Sequence, residues 1–143
     1  MNGEQNPYEA SEHGSSKVAR TSHFAVLLSV YLVVVLVGLV VGSYISVHIA
    51  NAWYPDEADG DVLGRTIASV LASPIAMTVG FFPTLGFYGP LHAIQMLLGM
   101  VLTAVGTWMH FRSRRLVHVW VVFLGMVLWS HNNYLAFNAL MSV

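Results

Sequence analysis

Cysteine is absent from the 143 residues, which removes disulfides, thiolate metal sites and cysteine nucleophiles. Charge is scarce too. Lys and Arg number 6 and Asp and Glu 7, together 9% of the chain, where a water-facing domain carries about 25%. So few charges cannot solvate a globular surface of this size, and a formal net charge of −1 gives nucleic acid nothing to bind. The charges are also confined: the first 20 residues, Asp56 to Arg65, and Arg112, Arg114 and Arg115 hold all of them. Catalytic signatures are missing as well. There is no GxSxG, no Walker sequence, no HExxH and no pair of carboxylates inside an apolar run, so nothing assembles a nucleophile with its base. The acidic stretch PDEADGD fails as a calcium loop, because aligning Gly60 with the loop glycine puts Pro55 first and Thr66 twelfth.

What remains is apolar, with 56% hydrophobic residues. The composition predicts an all-α integral membrane protein, since lipid admits only segments that satisfy their own backbone. Residues 1–22 are polar and mixed in charge. They read as a tail that is disordered or docked on a partner. They do not read as a signal peptide, because the apolar run that follows is late, long and without a small-residue cleavage site.

Four transmembrane helices are expected, over about 24–50, 62–82, 91–111 and 116–141. The first is secure: Phe24 to Val47 makes about 36 Å of helix, against a hydrocarbon core of about 30 Å. The second carries Arg65 in its first turn and Pro74 in its middle, so it is short and is either Pro-kinked or re-entrant. FFPTLGFYGP after it reads as a tight turn. The third and fourth are joined only by RSRR, residues 112–115, and must form an antiparallel hairpin. Arg112, Arg114 and Arg115 determine topology. With three spans and a re-entrant second segment, Lys17, Arg20 and these three arginines fall on one side and only Arg65 on the other. The positive-inside rule prefers that arrangement, whereas helical length and continuity prefer four spans.

Two stripes of small residues predict close helix packing. Gly38, Gly42 and Ser46 recur at every fourth position, as do Ala72, Ala76 and Gly80. Such stripes serve either packing within the bundle or docking of another subunit.

Histidine supplies the candidate site. His110 and His118, beside Trp108 and Trp120, read as ordinary residues of the membrane interface. In a hairpin about RSRR, residues whose numbers sum to about 227 lie at equal depth. His92 and His131 then fall within roughly one turn of each other, with Gln95 one turn along the His92 face. Facing imidazoles ligate haem b axially or begin a copper or zinc site, and with three spans His48 joins His92 and His131 as a metal set. The competing reading makes these residues, with Asn132, Asn133 and Asn138 of WSHNNYLAFN, a polar seam that joins helices by hydrogen bonds.

The expected function is a non-catalytic small membrane subunit that packs against and stabilises a larger membrane protein complex. Its environment is the lipid bilayer of a bacterial inner or equivalent energy-transducing membrane. The alternatives are a redox or cofactor protein using His92 and His131 and, with less support, a transporter or channel component.

Overall fold

A computed structural model describes residues 7–53 and 61–141, with side chains over 23–52 and 61–138. Every described element is helical: α1 (Pro7–Trp53), α2 (Val62–Val79), α3 (Phe81–Tyr88), α4 (Pro90–Ser113), a 3-10 turn (Leu116–His118), α5 (Val119–Ser130) and α6 (Asn133–Met141). Three stretches are long and apolar enough to cross a membrane: His23–Ala52 within α1, all of α2, and α4.

Residues 7–22, read as a tail that is disordered or docked on a partner, have backbone that continues α1, while their side chains, residues 1–6 and the loop 54–60 lie outside the described residues. Two expectations change. The stretch read as a tight turn is mostly the helix α3, and the chain turns at Gly89 (φ 87°). Pro83 is the third residue of α3, where first-turn N–H groups have no intrahelical partner and proline loses nothing. The expected fourth helix is interrupted at His131–Asn132. Side chains there compete with the backbone for helical carbonyls: Ser130 Oγ donates to Met126 O at 2.6 Å, and His131 Nδ1 lies 2.8 Å from Leu128 O. α5 packs on α4 and α1, and beyond the break α6 packs on α2, α1 and α3.

Contacts fix the direction of each element. α1 runs parallel to α5 and α6. Gly38 abuts Met126, Gly42 abuts Ser130, and Ser46 Oγ accepts from Tyr134 N at 3.0 Å. α4 runs against α5, with Gly106 on Val122, Thr103 on Gly125 and Gly99 on Trp129. These pairs sum to 228, one more than the expected register. A Cβ on Gly99 would stand 2.7 Å from Trp129 Cα, and one on Gly125 2.5 Å from Thr103 N, so the two backbones touch and only glycine fits. α2 runs against α1: Arg65 Nη1 donates to Asn51 Oδ1 at 2.9 Å, and Ser73 lies level with Ser43 through Asn133.

It follows that α2 and α4 descend in the same direction. Both reach the level of Trp129, whose Nε1 donates to Met77 O at 3.0 Å and whose backbone lies on Gly99. α2 ends there, at Val79, while α4 continues to Ser113, about 21 Å further at 1.5 Å per residue. Two consecutive helices with the same direction need a return between them. α3 supplies it, packed along α4 and α6.

Candidate functional site

The break between α5 and α6 builds a polar seam inside the bundle. Asn132 and Asn133 are fully buried there. Asn133 Nδ2 donates to Ser73 Oγ on α2 at 2.7 Å and to Ser43 Oγ on α1 at 3.3 Å. Asn132 Nδ2 donates to His92 O on α4 at 3.2 Å. Ser46 caps the start of α6 from another helix by accepting from Tyr134 N. One short segment thus ties together α1, α2, α4 and α6. Asn138, on α6, is half-buried.

His131 completes the seam on the α4 side. Its Nε2 lies 3.1 Å from Gln95 Oε1 and its Nδ1 2.8 Å from Leu128 O. A neutral ring donates from one nitrogen only. The Leu128 carbonyl has no hydrogen to give, so Nδ1 donates to it and Nε2 accepts. Gln95 must then present its amide N–H₂ to Nε2 rather than its oxygen. His92, a turn above Gln95, places Nδ1 3.0 Å from Tyr88 O.

The expected site residues therefore sort themselves. Gln95 and His131 are joined directly, and His92 joins them through its carbonyl and Asn132. His48 stands at the same level but on the exposed face of α1, edge-on to Tyr44 at 4.4 Å. Among the described residues no three His, Cys, Asp or Glu side chains gather as a metal site. For a haem iron or copper to bind His131, Nε2 would have to exchange Gln95 for the metal, because Nδ1 is committed to a backbone carbonyl.

The small-residue stripes are used within the chain. Gly38, Gly42 and Ser46 face α5 and α6, and Ala76 and Gly80 face Ala136 of α6, with Ala72 half-buried beside them. His110 lies inside the bundle at its arginine end rather than on the surface. It is fully buried, its two nitrogens 3.3 Å from Leu27 O and Arg115 O, and its ring stacks on Tyr31. It keys α1 to the end of the α4–α5 hairpin. Tyr31 adds a second tie, donating to Thr107 Oγ1 at 3.1 Å, since Thr107 spends its own proton on Thr103 O.

Ser43 and Ser130, which lie in the seam, and Thr84, buried on α3, are residues that sequence reasoning passed over. Single serines in a Val/Gly-rich run carry no periodic signal, and only the fold shows that they face Asn133 or the core. The hydroxyls of Ser73, Thr103, Thr107 and Ser130 donate to carbonyls four residues back, which leaves their oxygens as acceptors rather than activated nucleophiles. Asn132 Oδ1, Asn133 Oδ1, Ser69 Oγ and Thr84 Oγ1 are buried without a protein partner among the described residues. All four are neutral oxygens, a poor donor set for a transition metal. No protein-family model, curated protein or solved structure matches this chain.

Proposed function

We propose that the chain is a non-catalytic small membrane subunit which stabilises a larger membrane protein by covering it with the outer face of α2 and α3. In this reading α1, α4 and the α5–α6 pair cross the bilayer, and α2–α3 enters and leaves by one side. The shared direction of α2 and α4 supports that topology. It also puts Arg112, Arg114 and Arg115 with Lys17 and Arg20, opposite Arg65, in accord with the positive-inside rule.

One observation carries the partner reading. A helix that stops in mid-membrane has to be shielded by protein, because lipid cannot satisfy the backbone where the chain turns back. The inner side of the α2–α3 elbow is shielded by Trp129, Met96 and Ala136. The outer side is open: Leu63, Ile67, Leu71, Ile75 and Val79 form an exposed ridge at every fourth position, and Phe82 at the elbow is 77% exposed. The glycine stripes are consumed internally, and of the exposed apolar faces this ridge is the one that adjoins the elbow.

A photo-crosslinking amino acid at Leu71, at Phe82 and, as control, at Leu36 on the outer face of α1 tests this in native membranes. The expected result is one larger membrane protein captured from positions 71 and 82 but not 36, and recovered in stoichiometric amount with the unmodified chain. Lipid adducts alone at all three positions would overturn the reading.

A further inference from the structure

We infer that the arginine end of the α4–α5 hairpin is a binding site for the phosphate headgroup of an anionic phospholipid. Trp108, Met109, Arg112, Ser113 and His118 line an open cleft of about 400 Å³ there. Arg112 lies over the Trp108 ring, 5.0 Å from its centroid. Stacking uses the face of a guanidinium and leaves its in-plane N–H donors for a phosphate. Arg114 and Arg115 are exposed beside it. Among the described residues no hydrogen bond or ion pair engages these three side chains, and the sole described carboxylate, Asp61, caps α2 at the other end of the bundle.

Arg114 adds an independent sign. It takes the left-handed conformation (φ 54°, ψ 27°) that closes α4, with its N–H on His110 O at 2.9 Å. That position disfavours every side chain and costs glycine nothing. An arginine here gives up local backbone stability and adds a third cation to the cluster. The last carbonyls of α4 also attract cations, but that attraction needs no cleft and no left-handed arginine.

The surroundings select a lipid over a soluble anion. Trp108, Leu116, Val117 and Trp120 are each more than half exposed just beneath the arginines. A phosphate that carries acyl chains matches both halves of this surface, basic above and apolar below.

Native mass spectrometry of the full chain in mild detergent, titrated with phosphatidylglycerol or phosphatidylcholine, tests the site. Saturable binding of phosphatidylglycerol, several-fold tighter than phosphatidylcholine and weakened by salt, is the expected result. Arg112→Gln should weaken it roughly five-fold, and replacement of all three arginines by glutamine on the order of a hundredfold. Arg114→Gly separates lipid binding from folding: it should raise the melting temperature yet lose roughly five-fold in lipid affinity. Equal affinity for the two lipids, or an Arg114→Gly chain that folds and binds phosphatidylglycerol unchanged, would overturn the site. Competition by millimolar inorganic phosphate would overturn the lipid assignment in favour of a free anion.

Discussion

Asn133 and Ser73, 60 residues apart, are joined by the shortest inter-helix hydrogen bond of the seam, 2.7 Å from Nδ2 to Oγ. Ser73 spends its proton on Ser69 O, so its oxygen has no better donor available than this amide. The bond matters because α2 is the element with the least support of its own: it is short, contains Pro74, and turns back at Gly80. What holds it in place is the polar seam together with the contact of Ala76 on Ala136 and Met96.

Asn133→Ala should therefore loosen α2 in particular. Two buried bonds at about 0.6–2 kcal/mol each put the expected loss at roughly 1–4 kcal/mol. Thermal unfolding in detergent reads the total, and hydrogen exchange reads its location. Faster exchange in α2 and α3, with α1 and α4 unchanged, is the expected pattern. A uniform change would show that Asn133 acts on the bundle as a whole.

The glycines divide sharply. Gly99 and Gly125 have partner backbone where a side chain would go, whereas a Cβ on Gly86 meets nothing within 4 Å. Gly99→Ala and Gly125→Ala should each cost about 1–3 kcal/mol or more through overpacking of the hairpin. Gly86→Ala should be neutral or stabilising by up to about 1 kcal/mol, since α3 is helical there. Gly89→Ala should cost about 1–3 kcal/mol with no clash at all, because φ 87° and ψ 174° lie in a region that is essentially glycine's alone. Melting temperatures of the four variants would rank them, and a destabilising Gly86→Ala would contradict the position of α3.

Much of this was legible before the fold. Hydropathy alone marks α1 and α4, because Phe24–Val47 and the run after Pro90 carry no charge until the arginines. The RSRR link set the hairpin register to within one residue, since so short a link leaves no freedom. The break at His131 was not legible. No proline or glycine marks it, and it arises from side chains that reach backbone carbonyls only once the helix is built. α3 was misread for the converse reason: Pro83, Gly86 and Gly89 signal turns in water, but in an apolar setting helix is the local solution for backbone groups. Spacing brought His92, Gln95 and His131 to one level with His92 facing His131, but the direct contact of His131 is with Gln95, and it took three-dimensional contact to show this and to make Ser43 and Ser130 visible.

The Gln95–His131 contact carries its own expectation. Because Nδ1 faces Leu128 O, the ring should carry its proton on Nδ1 and accept at Nε2. Nitrogen NMR of histidine-labelled protein distinguishes the two tautomers directly, and Gln95→Leu should shift the Nε2 resonance while leaving Nδ1 in place. A double-mutant cycle of Gln95→Leu with His131→Phe should give a coupling of about 0.6–1.7 kcal/mol. Additive effects would mean that the two side chains do not interact, and the polar seam would end at Asn132.

Topology admits the most direct test, because a chain without cysteine makes every introduced thiol unique. Leu63 and Leu91, at the starts of α2 and α4, are 66% and 64% exposed, and Ser113 is exposed at the far end of α4. If α2–α3 enters and leaves by one side, Leu63→Cys and Leu91→Cys react with a membrane-impermeant maleimide from the same side, and Ser113→Cys only from the other. A fully spanning second segment would instead place positions 63 and 91 on opposite sides. That outcome would remove the re-entrant elbow and with it the argument that the outer ridge of α2 needs a partner. The shared direction of α2 and α4, fixed by Arg65 on Asn51 and by Met77 and Gly99 on Trp129, predicts labelling of both from one side.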